Sequence, residues 1–238
     1  MKLDILAFGA HPDDIELSCG GTILKHIQLG KKIGLIDLTR GELGTRGTAE
    51  LRDKEAKEAA SILGVSVREN LNFADGFFQN DPAHQLKVIS IIRKYQPEII
   101  LCNAVSDRHP DHGKAAKLVA EAAFYAGLIK IESTSDKKKQ DAWRTKSVFH
   151  YIQDRYIRPD FVTDISEFME KKMEVVKAFR SQFYDPNSNE PVTPISSKEF
   201  LEFMFSRAMD MGRPINVKYA EGFTASRIMA VNSLFDLH

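Results

Sequence analysis

Hydrophobic and polar positions along the chain predict strands and helices in alternation. Four short apolar runs have the length of buried strands: "DILAFGA", "KIGLIDLT", "VRENLNF" and "EIILCNA". Each is followed by a stretch with helical spacing, and the four predicted helices cover about Glu16–Leu29, Ala49–Leu63, Pro82–Tyr95 and Gly113–Gly127. Thr48 and Asp81 are the expected caps of the second and third helices, and Gly30 and Gly64 the expected stops of the first two. Four βα units in series predict a doubly wound, Rossmann-like α/β fold with a mostly parallel sheet of strand order about 3-2-1-4.

The second half of the chain continues this pattern less regularly. The polar segment "ESTSDKKKQDAWRT" predicts either a linker or a long surface loop. Beyond it we expect strands near Val148–Ile152 and Phe161–Thr163, a helix capped by Asp164 and running to about Phe183, a helix from about Ser197 to Met211, and a final strand in "VKYAEGF". We therefore predict a single domain over residues 1–238, with four βα units in 1–130 and a C-terminal elaboration in 145–238.

Charge and composition exclude several classes of function. The 238 residues contain 33 basic and 33 acidic side chains, so the formal net charge is zero and a nucleic-acid or anionic-membrane footprint is not expected. Apolar runs stay shorter than the ~18 residues that span a bilayer, and the N-terminus resembles a strand more than a signal peptide. The sequence thus predicts a cytoplasmic protein whose cysteines, Cys19 and Cys102, are buried free thiols.

The first candidate motif, "HPDD" at His11–Asp14, directly follows the first predicted strand. A dinucleotide-binding fold would place its glycine-rich phosphate loop here, and two adjacent carboxylates would repel a phosphate. Asp37 ends the second predicted strand, where such folds carry an acidic ribose contact, but the glycine fingerprint is missing. A dinucleotide site is therefore disfavoured.

The second motif, "DRHPDH" at Asp107–His112, follows the fourth predicted strand. Strands 1 and 4 are neighbours at the switch point of a 3-2-1-4 sheet, so the loops at their carboxyl ends face one crevice. We therefore expect the two motifs, about 100 residues apart, to form one pocket.

The residue types in this pocket suit a catalytic metal. His11, one carboxylate of the Asp13/Asp14 pair and His112 supply the three-ligand set of a catalytic Zn²⁺ site, and Fe²⁺ is the alternative. Such a metal lowers the pKa of water and polarises a carbonyl group. The remaining carboxylate is then available as a base and His109 as a hydrogen-bond or proton donor. Together these groups predict hydrolysis of an amide or ester.

Simpler roles exist for each residue taken alone. One aspartate of the pair could cap the first helix, and His109 and His112 could be surface residues at a helix start. Capping explains neither the second carboxylate nor His11, and two histidines opposite the first motif favour a site. The remaining histidines (His26, His84, His150 and His238) have no such neighbours and are expected to be structural or solvated.

With both motifs intact, the chain resembles the LmbE-like / PIG-L family of zinc-dependent N-acetylglucosaminyl deacetylases. The resemblance covers roughly the first 125 residues, including the segment "LTRGELGTRGTAELRDKEAKEAASILGV". The C-terminal "SQF" and "KYAEGF" resemble the bacillithiol-biosynthesis branch, which removes acetate from N-acetylglucosaminyl malate. Family and branch together imply a small-molecule sugar-conjugate substrate.

The resemblance also implies a role for each motif residue. Zinc would be bound by His11, Asp14 and His112, with Asp13 as general base. His109 would stabilise the oxyanion or protonate the leaving amine, and Asp111 would orient a histidine. Asp107 stands where some relatives carry a tyrosine that assists the oxyanion.

Arg52 and Arg108 are the substrate-binding residues that the resemblance implies. The alternative for Arg52 is a solvated ion pair with Glu55 or Glu58 on the same helix. A cationic pocket for malate could combine Arg52 and Arg108 with Arg158.

Two functions other than deacetylation of N-acetylglucosaminyl malate are also compatible with the sequence. The chain could be a deacetylase or amidase of another N-acyl sugar conjugate, or it could be a metal-binding regulatory protein without catalysis. The spare carboxylate Asp13 and a histidine beyond the three ligands argue against a closed regulatory site. The protein could be a homo-oligomer as well as a monomer.

Overall fold

The fold alternates strands and helices through its first half. The computed structural model describes residues 1–236, so His238 lies outside the described residues. The first half contains β1 (Ile5–Gly9), α1 (Asp14–Gln28), β2 (Ile33–Thr39), α2 (Ala49–Leu63), β3 (Val67–Phe73), α3 (Pro82–Tyr95), β4 (Ile99–Cys102) and α4 (Pro110–Ala126). The second half contains β5 (Thr134–Ser135), β6 (Lys138–Lys139), β7 (Ser147–Tyr151), β8 (Phe161–Asp164), α5 (Met169–Lys177), α6 (Lys198–Gly212) and β9 (Ala220–Ala225), with short 3₁₀ turns at Arg213–Ile215 and Leu234–Asp236.

Seven of the described strands form one sheet in the order β3-β2-β1-β4-β7-β9-β8. Strands β3, β2, β1, β4 and β7 are parallel, whereas β9 runs antiparallel to both of its neighbours. The predicted 3-2-1-4 order and mostly parallel sheet are confirmed. The C-terminal strands extend this same sheet, which places their ends beside the crevice formed by the first four.

Helices cover both faces of the sheet. On one face α1, α2 and α5 pack on the sheet around a core that includes Ile23, Leu63 and Val176. On the other face α3 and α4 pack around a second core that includes Ile92 and Val119. Strand β1 is buried along its whole length, because a central parallel strand has helices on both sides.

Local signals set the ends of the helices as the sequence indicates. Thr48 Oγ1 accepts a hydrogen bond from Leu51 N, and Asp81 Oδ1 accepts from Ala83 N and His84 N, so the predicted caps of α2 and α3 are confirmed. Gly64 ends α2 at φ 77°, a conformation that glycine adopts without strain.

The helix predicted from Asp164 to Phe183 is wrong at both ends. Strand β8 continues to Asp164, whose Oδ1 accepts from the backbone and hydroxyl of Ser166, a local turn that delays the helix to Met169. The helix ends at Lys177, and farther along Ser181 N donates to the Glu55 carboxylate at 2.7 Å instead of to a helix carbonyl.

Four further features bear on the predictions from the sequence. The first helix begins at Asp14 rather than Glu16 and is interrupted at Cys19 (φ −139°, ψ 19°). The predicted polar break contains the β5–β6 hairpin. Cys19 and Cys102 are both free and buried, as expected. Among residues 1–236, no helix is long and apolar enough to cross a membrane.

Candidate active site

The two histidine–aspartate motifs lie side by side at the carboxyl ends of β1 and β4. These strands are hydrogen-bonded neighbours, with Ile5 opposite Ile99. The imidazole centroids are 4.7 Å apart for His11 and His109, 5.2 Å for His109 and His112, and 5.6 Å for His11 and His112. The strand order thus brings residues about 100 positions apart into one cluster.

Asp14 is the carboxylate at the centre of this cluster. Its Oδ1 lies 3.1 Å from His112 Nε2, and its Oδ2 lies 3.6 Å from His11 Nδ1. Asn103 and Gln153 each donate a side-chain amide to Asp14, at 3.0 and 3.1 Å. These amides come from the ends of β4 and β7, so three strands fix the orientation of one buried carboxylate.

The other nitrogen of each histidine faces a second carboxylate. His112 Nδ1 lies 2.5 Å from Asp107 Oδ2, and His11 Nε2 lies 3.0 Å from Asp75 Oδ1 and 3.5 Å from Asp111 Oδ2. A histidine that binds a metal ordinarily donates its second N–H to a carboxylate in this way, which fixes its tautomer and ring orientation. His11 Nδ1 and His112 Nε2 are therefore left directed at Asp14.

The charge of the cluster also favours a cation. Five carboxylates surround these rings, and Arg52 and Lys114 pair with two of them, Asp13 and Asp111. Although burial disfavours its charged form, Asp14 and Asp107 raise the pKa of His112 to about 9. The donor set of two imidazoles and a carboxylate, inside an excess of negative charge, fits a divalent metal that would replace these protons.

A second group of possible ligands lies on the far side of His11, formed with Asp75 and Asp111. Its oxygens already have N–H partners: Leu43 N donates to Asp75 at 2.9 Å and Gly76 N donates to Asp111 at 2.8 Å. The ammonium of Lys114 lies 2.6 Å from the other Asp111 oxygen. This group therefore serves better as a hydrogen-bonding shell for His11 than as a cation site.

Asp13 points away from Asp14 despite being its neighbour. Its backbone has φ 124°, in a region that non-glycine residues rarely adopt, and its Oδ2 lies 3.2 Å from Arg52 Nη2. The carboxylate thus faces Arg52 instead of capping α1. Burial raises the pKa of Asp13 to about 7, although Arg52 opposes this rise. A carboxylate that titrates near neutral pH is suited to exchange protons.

His109 is the N-cap of α4, and its Nδ1 accepts a hydrogen bond from Asp111 N at 3.3 Å. This contact assigns the proton of the neutral ring to Nε2, which becomes a hydrogen-bond donor. Burial, together with His11 and His112, lowers the pKa of His109. Nitrogens of His11, His109 and His112 lie within 4.8 Å of one another, so His109 also lies within reach of a shared ligand.

The two predicted substrate arginines occupy different environments. Arg52 is 6% exposed and is held against Asp13, so the solvated pairing with Glu55 or Glu58 is wrong. Those glutamates instead bind Ser181 and Arg180.

Arg108 lies at the rim, where its Nε donates to Asp154 Oδ2 at 3.2 Å. Arg207, which the sequence did not indicate, binds the backbone carbonyl of Asp154 and lines the same cavity. Arg158 is exposed and does not belong to the lining, so its place in a cationic pocket is wrong.

The sequence also missed the carboxylate and amide partners of the motif residues. Asp75, Asn103 and Gln153 each lie one or two residues beyond the end of a parallel strand. A polar residue at that position is the available signal, because ligands of open α/β sheets bind at the carboxyl ends of strands. In the sequence, Asp107 stands out only because some relatives have a tyrosine there. In the structure the Asp107 carboxylate is hydrogen-bonded to His112 Nδ1.

The comparisons with known proteins agree with this geometry. Residues 6–123, which carry both motifs, match the PIG-L family, described as GlcNAc-PI de-N-acetylase. The chain is 30% identical over 230 residues to diacetylchitobiose deacetylase of Thermococcus kodakarensis, covering 92% of this chain and 81% of that protein. The chain belongs to the PIG-L family.

Two solved structures share the fold over nearly the whole chain. The conserved protein TT1542 from Thermus thermophilus superposes with a TM-score of 0.85 at 35% identity, covering 97% of this chain and 98% of that one. The N,N'-diacetylchitobiose deacetylase from Pyrococcus horikoshii, complexed with an inhibitor, gives a TM-score of 0.79 at 26% identity, covering 99% and 88%.

Relatives of lower identity differ in the reactions that their names state. A probable N-acetyl-alpha-D-glucosaminyl L-malate deacetylase 2 of Bacillus anthracis is 25% identical over 195 residues, covering 75% of this chain and 81% of that protein. A 4-oxalmesaconate hydratase of Pseudomonas putida is 26% identical over 194 residues, covering 74% and 73%. Resemblance to the bacillithiol branch is thus weaker than resemblance to the chitobiose enzyme.

Proposed function

We propose that this chain is a metal-dependent N-deacetylase that hydrolyses the acetamido group of an N-acetylglucosamine conjugate. The observation that carries the proposal is the division of the Asp13/Asp14 pair. Asp14 faces nitrogens of His11 and His112, whereas Asp13 faces Arg52. Asp14 is thereby available to bind a metal, and Asp13 is available to accept a proton.

His11, Asp14 and His112 are the residues that would hold the metal, which we propose to be Zn²⁺, with Fe²⁺ as the alternative. When bound, such an ion supplies Lewis-acid activation of water and of the amide carbonyl. Asp107, Asp75 and Asp111 keep the two imidazoles oriented. These three outer carboxylates are therefore positioning residues.

Asp13 is the proposed general base. It accepts a proton from the attacking water as the water oxygen bonds to the acetyl carbon, and the carbon–nitrogen bond then breaks. The same proton passes to the departing amine, so the products are acetate and a free amino sugar. Arg52 holds the carboxylate at 3.2 Å and favours its ionised form.

His109 is the proposed donor to the developing oxyanion. Its Nδ1 is occupied by Asp111 N, so its Nε2–H is the group that can donate. Because burial and two neighbouring imidazoles lower its pKa, the ring stays neutral near pH 7. A neutral ring stabilises the oxyanion by hydrogen bonding and leaves protonation of the amine to Asp13.

N-acetylglucosaminyl malate is one candidate conjugate. Arg108 and Arg207 both contact Asp154 at the rim of the cavity, where a carboxylate of malate could meet a guanidinium. Diacetylchitobiose is the other candidate, because the relative that is 30% identical is named for that substrate. A cytoplasmic location and self-association stay predictions from the sequence.

Acetate release decides between these functions. The purified protein is stripped of metal, supplied with Zn²⁺ or Fe²⁺, and assayed on diacetylchitobiose, N-acetylglucosaminyl malate and free N-acetylglucosamine. We expect acetate from at least one conjugate and loss of activity after chelation. Hydration of 4-oxalmesaconate without acetate release would identify a hydratase, and tight metal binding without either reaction would support the regulatory alternative.

A further inference from the structure

The cavity that contains the candidate active site, about 300 Å³ in volume, continues well beyond the motif residues. We call this continuation the apolar arm. Its walls are the side chains of Leu17, Ile152, Met204, Ala208, Met211 and Ala220. Most are buried, with Met204 at 8% and Ala208 and Met211 at 4% exposed. An acetyl group is too small to fill such a space.

Helix α1 sets the direction of the arm relative to the candidate metal ligands. Asp14, Leu17 and Ser18 all line the cavity, because residues three and four apart share one face of a helix. Farther along α1, Gly21 N and Thr22 N donate to Glu221 at 3.0 and 2.7 Å. At about 1.5 Å per residue, the arm extends on the order of 10 Å from Asp14 to this point.

A buried ion pair closes the arm and offers no charge to a ligand. Lys172 Nζ lies 2.7 Å from Glu221 Oε1, and both residues are 4% exposed. With the two backbone donors from α1, the Glu221 carboxylate has three partners that already satisfy it. An anionic group such as malate would find no unpaired cation at this closed end, and sugar hydroxyls would be buried among mostly apolar side chains with few hydrogen-bond partners beside Ser18.

The polar rim of the cavity suits a sugar better. Gly44, Arg108 and His109 line this rim, and Leu43 is 62% exposed there. Backbone groups, guanidinium donors and water are all available to hydroxyls at such a rim. The polar part of a substrate therefore belongs at the rim and an apolar part belongs in the arm.

We propose that the apolar arm binds the acyl chain of the substrate, so that the enzyme removes N-acyl groups longer than acetyl from an amino sugar. This inference rests on the proposed deacetylase function and extends its substrate class to N-acyl glucosamines with a linear chain of about six carbons. Each buried methylene group should raise kcat/KM about fourfold, because its transfer from water is favourable.

The test compares N-acetyl-, N-butanoyl- and N-hexanoylglucosamine as substrates. We expect kcat/KM to rise at least about tenfold across the series in the wild type. Ala208→Trp, which fills the arm, should reverse the hexanoyl-to-acetyl ratio, and the smaller Ala208→Leu should reduce it if the tryptophan variant does not fold. Met209→Trp is the matched control, because Met209 is 52% exposed on α6 and lies outside the lining.

A binding measurement separates this inference from the proposed function. Hexanoate, the product of the longest substrate, should bind the metal-loaded wild type at least tenfold more tightly than acetate, and Ala208→Trp should abolish the difference. Equal binding of the two acids would contradict the inference whether or not the enzyme is active. A second outcome would also contradict the inference. If kcat/KM depends on the length of the alkyl group in alkyl glycosides of N-acetylglucosamine but not on the length of the N-acyl chain, the arm binds the aglycone instead. No hydrolysis of any N-acyl sugar, together with preferred hexanoate binding, would overturn the proposed deacetylase function alone.

Discussion

Arg52 Nη2 lies 3.2 Å from Asp13 Oδ2, and both side chains are buried. The pair joins α2 to the first motif, and the Arg52 guanidinium lies beside Gly41 in the loop after β2. The guanidinium favours the ionised form of the proposed base, while burial disfavours it. The activity of Asp13 should therefore depend on a residue that need not touch the substrate.

Replacing Arg52 should change the pH dependence of the reaction. In Arg52→Met the carboxylate of Asp13 loses its cation, so its pKa rises and the acidic limb of the kcat/KM profile moves to higher pH. Below that limb the loss is roughly tenfold for each unit that the limb moves. Arg40→Met is the control, because Arg40 pairs with Asp53 and Glu50 near the surface. An unchanged profile with a raised KM would make Arg52 a substrate contact instead.

Gly41 should be required for the same ion pair. Its φ is +64°, and a Cβ added to it would lie only 2.0 Å from Arg52 Nη1. Gly41→Ala should therefore displace the guanidinium and reproduce the shift of the Arg52 variant. Gly30→Ala is matched in φ (+78°), but within the described chain its Cβ would meet no atom within 4 Å, so it should cost only about 1 kcal/mol of folding stability. Equal pH profiles for the two variants would refute the steric argument.

Asp107 should control metal affinity through His112. The carboxylate lies 2.5 Å from His112 Nδ1 and keeps Nε2 directed at Asp14. Asp107→Asn should weaken Zn²⁺ binding about 10- to 100-fold, as measured by competition with a chelator. Asp154→Asn, at the rim, should leave metal affinity unchanged. If both variants bind Zn²⁺ equally, the proposed orienting role of Asp107 fails.

Replacing His109 should have two separable effects, a lower kcat and a less stable helix α4. His109→Asn retains a cap for α4, whereas His109→Ala loses the cap and about 1 kcal/mol of stability. Both variants should lose roughly 10²-fold in kcat because the donor to the oxyanion is gone, with little change in metal content. Thermal unfolding, kinetics and metal analysis measure these effects. Loss of the metal in both variants would make His109 a ligand.

The position of the site could be predicted from the sequence because it follows from strand order. The apolar runs around Leu6 and Ile100 indicate adjacent parallel strands, and the motifs come directly after them. Predicting where the motifs lie requires the strand order but not the side-chain conformations. The prediction therefore depends only on the regular part of the fold.

The division between Asp13 and Asp14 depends on backbone geometry. Asp13 has φ 124°, which turns its carboxylate away from Asp14 and toward α2. From the residues alone the two aspartates are equivalent, and only the family resemblance distinguished them. The resemblance implies a substrate contact for Arg52, and helix spacing gives no information about its partner Asp13, 39 positions away.

The C-terminal errors have a similar physical origin. Asp164 is an ordinary helix cap by sequence, but its pairing with Ala220 in the sheet and its bond to Ser166 keep it in a strand. The apolar arm was not predicted either, because it forms only where residues of α1, α6 and β9 line one cavity. Contacts between distant segments thus limit what local patterns can show.

Asp14 is the proposed metal ligand and Asp13 the proposed proton carrier, and metal content measured beside turnover tests this division of roles. Asp14→Asn and Asp13→Asn are equally conservative changes at adjacent positions, which makes each the control for the other. We expect Asp14→Asn to lose both metal and activity, and Asp13→Asn to keep about one Zn²⁺ per chain while kcat falls at least ~10²-fold. Full metal occupancy in Asp14→Asn, or loss of the metal in Asp13→Asn, would show that the two aspartates do not divide these roles.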